Sequence, residues 1–209
     1  GWISLGNGKL LHTTNGGNNW LVVTPEPVDT LFSWSDPALS LSFINPSTGW
    51  IIRSKGTPSN FRGAVVYKTT NGGVNWSKVT IPNYDAGIYI QFVDESNGWI
   101  MLFNSGYTGG GLFRTTNGGT NWNAINTPVG GFPFFINSNT GWLIPVMPQG
   151  GGMTSDSIRK TTNGGVNWTA PWGTNSQVIF NAIHFSDVNN GCAVGGSGLI
   201  LKTTNGGNS

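Results

Sequence analysis

Few side chains in this 209-residue sequence are of the kinds that carry out catalysis. Hydrolysis of a glycosidic bond uses two carboxylates placed on either side of that bond. Six carboxylates do not occupy the Asn/Asp turn position of the repeats described below and are candidates for this chemistry: Glu26, Asp29, Asp36, Asp85, Glu95 and Asp156. No two of them form a recognisable motif. Glycoside hydrolysis is therefore kept as an alternative to the main prediction.

Metal and thiol chemistry have equally little support in the sequence. Asp94 and Asp187 begin turns that faintly resemble the start of an EF-hand calcium loop. Neither is followed by the bidentate Glu that ends such a loop. His12 and His184 have no Cys or His companion at ligand spacing. Cys192 replaces a Trp of the repeat, and we expect it to be a small buried apolar group. We predict neither a metal ion nor a cofactor.

The composition excludes two classes of partner and favours one fold class. Charged residues make up 9% of the chain and its net charge is +2, with basic residues scattered singly, so no basic stripe could bind nucleic acid. No run approaches the roughly 20 apolar residues that cross a bilayer. The 33 Gly and 10 Trp residues suit short strands joined by tight turns. The sequence predicts an all-β protein without a transmembrane segment.

An internal repeat accounts for many of the polar and aromatic residues. The octet Thr-Thr-Asn-Gly-Gly-x-x-Trp begins at residues 13, 69, 115 and 161, and a shortened copy begins at residue 203. Its Asn can accept backbone N–H groups two residues on, its first Thr can add a hydroxyl bond, and its second Gly can take a positive φ. Its Trp is a large apolar anchor. We predict structural roles for Asn15, Asn71, Asn117, Asn163, Asn205, Gly17, Gly73, Gly119, Gly165, Gly207, Trp20, Trp76, Trp122 and Trp168.

A second signature alternates with the first and completes a four-stranded unit. It runs from Phe43 to Trp50 and recurs at 92–99, 135–142 and 185–192. A period of about 40 to 50 residues with four strands matches a propeller blade better than a solenoid coil. The sequence predicts one β-propeller domain, or a propeller fragment, with units at about 1–48, 49–97, 98–140, 141–190 and 191–209. We expect three strands in the first and last blades, four in the others, and further blades in the same or a neighbouring chain.

The octet resembles the Asp-box, also called the bacterial neuraminidase repeat, with Asn in place of Asp. With the second signature, the chain is most similar to propellers related to photosystem II assembly and stability factors. The resemblance implies a secreted, periplasmic or cell-surface protein. It leaves function open, because Asp-boxes occur in sialidases, xyloglucanases, receptors and non-catalytic scaffolds. A sialidase site would need three arginines, and two of the four arginines here, Arg114 and Arg159, look like repeat positions.

The variable connections carry the remaining aromatic and basic residues. If strand direction alternates within a blade, both signature turns share one face, and connections of variable length share the other face, where binding sites are usual. Six residues on that second face are candidates for binding: Trp34, Arg53, Phe61, Arg62, Tyr107 and Trp172. The two tryptophans could equally cover a hydrophobic edge of the fold. We predict a non-catalytic binding or scaffold protein that recognises a protein or glycan partner. An extracellular sialidase-like or xyloglucanase-like hydrolase is the alternative.

Overall fold

A computed structural model describes residues 1–5, 9–25, 40–57, 60–81, 84, 86–103, 110–125, 131–145, 157–173 and 179–208. The chain divides into two compact units. The first contains Gly1–Gly110 and Arg114–Trp122, and the second contains Gly111–Phe113 and Asn123–Ser209. No helix within the described ranges is long and apolar enough to span a membrane.

The described residues form five antiparallel sheets, in each of which the strands follow one another in chain order. Sheet 1 contains β1 (Trp2–Ser4), β2 (Leu10–His12) and β3 (Leu21–Val23). Sheet 2 contains β4 (Ser40–Phe43), β5 (Gly49–Thr57), β6 (Asn60–Thr69) and β7 (Ser77–Ile81). Sheet 3 contains β8 (Ala86–Phe92), β9 (Gly98–Phe103), β10 (Gly110–Thr115) and β11 (Asn123–Ile125).

Sheets 4 and 5 repeat the same order of strands. Sheet 4 contains β12 (Gly131–Phe135), β13 (Gly141–Pro145), β14 (Ser157–Thr161) and β15 (Thr169–Gly173). Sheet 5 contains β16 (Phe180–Phe185), β17 (Gly191–Gly195) and β18 (Ile200–Thr203), with a short 3₁₀ turn at Gly196–Gly198. The predicted all-β fold, with three strands in the first and last sheets and four in the others, is confirmed.

Within each unit, core residues lie between consecutive sheets. The second strand of a four-stranded sheet carries a continuous apolar run, as in the fully buried Trp50, Ile51 and Ile52 of β5. Such runs are typical of strands that are covered on both faces. In the first unit, Ile51 packs with Leu10 of sheet 1. In the second unit, the main cluster joins sheets 4 and 5: Trp142, Ile144, Ile158, Phe180, Phe185 and Ala193.

Serine hydroxyls connect sheet 2 to the first strand of sheet 3. Backbone N–H groups of Ile90 and Phe92 donate to Oγ of Ser40 and Ser42, at 3.0 and 2.8 Å. Edge N–H groups of a strand need partners and otherwise attract other strands. The two serines therefore provide hydrogen-bond acceptors for two backbone N–H groups of β8.

The central hairpin of sheet 2 is longer than its neighbours. β5 pairs with β6 from Gly49 opposite Thr69 to Thr57 opposite Asn60, whereas β4 and β7 pair only with 49–52 and 64–68. Residues 55–57 and 60–63 thus form a two-stranded extension, here called the β5–β6 arm. The sequence-based assignment of this region to a loop is wrong, because a register shift after Lys55 lets strand pairing continue.

Candidate functional site

The repeated turn between the third and fourth strands is closed by two side chains. In sheet 1, the Thr13 hydroxyl donates to Oδ1 of Asn15 at 2.9 Å and accepts the Gly17 N–H at 3.0 Å. Oδ1 of Asn15 also accepts the Asn19 N–H at 3.0 Å. The same three bonds recur in sheets 2, 3 and 4, from Thr69 and Asn71, Thr115 and Asn117, and Thr161 and Asn163.

One detail of this turn differs from the sequence-based prediction. The Asn oxygen binds the N–H four residues on, and not two residues on. Gly16 and Gly17 both have positive φ, +71° and +94°. This conformation directs the Asn19 N–H towards the Asn15 side chain. At Asn205 the side chain instead accepts the N–H of Asn208, at 3.0 Å.

The two signature turns of each sheet from 2 to 5 are bonded to each other. In sheet 2, the Gly72 N–H donates to the Ser47 carbonyl at 2.8 Å. Equivalent bonds of 2.7–2.9 Å join Gly118 to Ser96, Gly164 to Asn139 and Gly206 to Asn189. The two turns therefore lie at the same end of each of these sheets, as alternating strand direction predicts.

The turn between the first and second strands uses one acidic or amide side chain. Oδ1 of Asp94 accepts the N–H groups of Ser96 and Asn97, at 2.8 and 2.7 Å. Burial acts to raise the pKa of Asp94, but these bonds outweigh it and the pKa lies below its ordinary value. The carboxylate is therefore ionised at neutral pH and closes a turn, so it is poorly suited to act as a general acid.

Asp187 has the same structural role in sheet 5. Bonds from the Asn190 side chain, and from the backbone N–H groups of Asn189 and Asn190, lower its pKa. Its Oδ1 accepts the Asn189 N–H at 2.8 Å. Across the described ranges, no three His, Cys, Asp or Glu side chains are grouped as a metal site.

The Trp at the start of the second strand packs against the following sheet. In the first unit, the fully buried Trp50 stacks on Phe92, with ring centroids 3.7 Å apart and planes within 5°. Its Nε1 donates to the Gly118 carbonyl at 2.9 Å, and Nζ of Lys68 lies 5.0 Å from its ring centroid. The Trp50 side chain is therefore fixed by three interactions: ring stacking, a hydrogen bond and a cation–π contact.

The second unit repeats this arrangement between sheets 4 and 5. Trp142 is fully buried and stacks on Phe185 at 3.4 Å, with planes within 6°. Its Nε1 donates to the Gly206 carbonyl at 3.1 Å, and Nζ of Lys160 lies 5.6 Å from the ring centroid. The second-strand Trp is thus a packing residue in both units.

The Trp of the repeated octet meets the same Phe from another direction. Trp76 lies edge-on to Phe43, with centroids 6.4 Å apart and planes at 89°. Trp122 and Phe92 repeat the contact at 5.8 Å and 81°, and Trp168 and Phe135 repeat it at 6.1 Å and 70°. The Phe ring is therefore also contacted, at a steep interplanar angle, by an indole from its own repeat.

The predicted binding residues fall in three kinds of place. Trp34 and Tyr107 lie outside the described residues, so their binding role stays a prediction. Arg53 lies in β5 at the base of the β5–β6 arm and is only 4% exposed, while Phe61 and Arg62 belong to β6 within the arm. Trp172 lies in β15, paired with Ile158, and not in a connection as expected.

Cys192 differs from its expected environment. The sequence predicts a buried residue, but Cys192 is exposed. Cys192 is the counterpart in β17 of Trp142 in β13. Trp142 contacts the following sheet from this position.

A groove in the first unit was not foreseen from the sequence. Trp2 lies between the rings of His12 and Phe43, at centroid distances of 3.9 and 4.3 Å. This stack borders a groove of about 400 Å³, which Asn45 and Pro46 also line. His12 occupies the position opposite Trp2 that lysines fill in sheets 2, 4 and 5, and this substitution is the one sequence signal for the stack.

Comparisons with known proteins show similarity in fold. No family model and no curated protein matches the sequence. YCF48 from Cyanidioschyzon merolae superposes with a TM-score of 0.68 at 18% identity, over 100% of this chain and 66% of that chain. The GH74 enzyme of Niastella koreensis superposes with a TM-score of 0.67 at 17% identity, over 97% of this chain and 35% of that enzyme. The GH74 xyloglucanase of Xanthomonas campestris superposes with a TM-score of 0.65 at 12% identity, over 97% of this chain and 33% of that enzyme.

These structures share a fold with the chain and exceed it in length. The chain spans slightly under two thirds of YCF48 and about one third of each GH74 protein. Identities below one residue in five carry no function across, so the likeness concerns architecture alone. The chain has the fold of a β-propeller similar to that of the photosystem II assembly factor YCF48.

Proposed function

We propose that this chain is a non-catalytic binding or scaffold propeller of an exported or cell-surface protein, and that it recognises a protein or glycan partner. The repeated Thr, Asn and Asp side chains among the described residues close turns. They support the fold and are therefore not available for catalysis. Binding residues on a rigid β-scaffold are usual at strand ends that vary from repeat to repeat.

The β5–β6 arm is the observation that carries this proposal. β5 begins at the signature turn beside Gly49 and runs towards Thr57. The arm therefore lies at the end of sheet 2 opposite to the two signature turns. Lys55 and Arg62 of the arm are basic, and residues 55–63 contain no acidic residue, although the whole chain is nearly neutral. Two basic residues within one short hairpin favour a partner that presents carboxylate groups, because complementary charge speeds and orients association.

The test uses a charge reversal on the arm with a matched control. The partner is first identified by affinity capture from the native source and by a glycan array. Lys55→Glu with Arg62→Glu should then weaken its binding at least 10-fold and flatten the salt dependence. Lys9→Glu with Lys78→Glu changes the net charge equally, away from the arm, and should have little effect. Equal losses in both variants, or none, would contradict an interface on the arm.

The two predicted tryptophans provide a second test of the same proposal. Trp34→Ala with Trp172→Ala should weaken binding while the melting temperature stays nearly unchanged. A large loss of stability with unaltered affinity would show that these side chains cover the fold, as the alternative interpretation holds.

The competing function is glycoside hydrolysis, which the GH74 likeness in fold makes worth testing. Five of the six candidate carboxylates lie outside the described residues: Glu26 and the four aspartates Asp29, Asp36, Asp85 and Asp156. A panel of polysaccharides and aryl glycosides should give no turnover. Turnover that disappears when one of these four carboxylates is changed to Asn would refute the non-catalytic proposal.

A further inference from the structure

We propose that Ser54 is a positioning residue that fixes the β5–β6 arm against sheet 3, so that the arm meets its partner in one orientation. This inference rests on the proposed function, in which the arm is the interface. It adds to that interface a residue at the base of the arm, whose side chain acts through the neighbouring sheet and not through the partner.

The arm leaves sheet 2 through an irregular segment of β6. The register between β5 and β6 shifts between Lys55 and Gly56, so Arg62 is the extra residue of a β-bulge. Gly63, beside the bulge, has a φ of +130°, which residues with a side chain rarely adopt. A bulge bends the strand that contains it. Strand pairing alone therefore does not fix the direction of the arm.

Ser54 connects the base of the arm to sheet 3. It directly precedes the arm in β5 and is only 6% exposed. Its Oγ accepts the backbone N–H of Gly87, near the start of β8, at 3.3 Å, and this bond is buried. When Trp50 and Trp99 are aligned, the counterpart of Ser54 in β9 is Phe103. A buried hydroxyl at a position that is apolar in the next sheet indicates a specific partner, here the Gly87 N–H.

Gly87 packs closely on the base of the arm because it has no side chain. A Cβ built on Gly87 would overlap Cδ1 of Ile52 and lie 3.4 Å from Cβ of Ala64, so β8 contacts both strands from which the arm extends. The register of β8 with β9 also shifts between Gly87 and Tyr89. Such a shift can redirect backbone groups, and the Gly87 N–H bonds to Ser54 at this point.

The same junction offers a matched control far from the arm. Ser42 of β4 accepts the Phe92 N–H of β8 at 2.8 Å, so it is also a sheet 2 serine that accepts a β8 amide. Phe43, the next residue, lies opposite Gly49 beside the signature turns, at the end of sheet 2 opposite to the arm. Loss of this bond should loosen the junction without releasing the arm.

Two spin labels measure the position of the arm, in a Cys192→Ala background because Cys192 is exposed. One label is attached at Thr57→Cys in the arm and the other at Glu95→Cys in the first turn of sheet 3. Double electron–electron resonance should give a narrow distance distribution, which Ser54→Ala should broaden about two-fold and Ser42→Ala should leave narrow. A narrow, unshifted distribution in Ser54→Ala would overturn the proposal.

Binding shows whether the fixed orientation is used. Poly-L-glutamate is the probe, because the proposed partner presents carboxylate groups. Ser54→Ala should weaken its binding about three-fold, since a mobile arm loses more conformational entropy on binding, whereas Ser42→Ala should not. Equal affinity of the Ser54→Ala and wild-type proteins would overturn the positioning role. Failure of the wild-type protein to bind the probe would instead contradict the proposed function, so the two proposals fail separately.

Discussion

Trp142 and Cys192 occupy the same position in consecutive sheets and have opposite environments. Each is the second residue of the second strand and lies opposite a lysine, Lys160 or Lys202. Trp142 is fully buried by the Phe185 ring and by a bond to the Gly206 carbonyl of sheet 5, whereas Cys192 is exposed. The burial of this position is therefore a property of the junction with the next sheet and not of the strand that carries it.

Truncation at the two positions should give the largest difference. Trp142→Ala removes a fully buried indole and its hydrogen bond, so it should lower the free energy of unfolding by about 3–5 kcal/mol. Cys192→Ala should change it by less than about 0.5 kcal/mol, because the side chain is exposed. Guanidinium denaturation of both variants checks the difference. Similar losses would mean that the strand, and not the junction, determines the energy.

Loosening the turn that receives the Trp142 indole should have a smaller effect. Asn205→Ala removes the oxygen that the Asn208 N–H and the Thr203 hydroxyl bond, and should cost about 0.5–1.5 kcal/mol, because both bonds are exposed to water. Asn205→Asp keeps the acceptor oxygen and should be tolerated. Denaturation curves for both variants decide this point. Wild-type stability of Asn205→Ala would contradict a structural role for the turn.

Restoring the repeat residue at position 192 sharpens the comparison. Cys192→Trp should change the free energy of unfolding by less than about 1 kcal/mol, since an exposed side chain gains little from its size. The added indole should be accessible to acrylamide quenching of its fluorescence. A gain of several kcal/mol, with a quenching-resistant indole, would show that another surface of this chain covers the position.

The smallest effect concerns the acidic turn beside Cys192. The lowered pKa of Asp187 means that the folded state binds this proton less readily than the unfolded state. Its stabilising contribution is therefore present above the ordinary pKa of about 4 and is lost as the pH falls through the lowered value. Asp187→Asn keeps the turn, as Asn45 does in sheet 2, and should flatten acid denaturation below about pH 4. An unchanged acid profile would argue against this linkage.

The order of strands was accessible from the sequence because each signature marks a turn of its own. The two repeats predicted the three-, four-, four-, four- and three-stranded pattern and the shared end of the signature turns. The β5–β6 arm was not accessible, because Gly, Pro and Ser in residues 54–59 are typical of a loop. Its pairing depends on a register shift that only the opposed strands of sheet 2 reveal.

The sequence by itself determined the closure of the turns, since Thr, Asn and Gly of one octet bond within four residues of each other. Such contacts need only local conformation, and the same residues therefore form the same turn in sheets 1 to 4. Tertiary structure alone decided which of the repeated positions are buried. Trp50 bonds to a carbonyl 68 residues further along the chain and Trp142 to one 64 residues further, and burial at these positions needs the sheet that supplies that carbonyl.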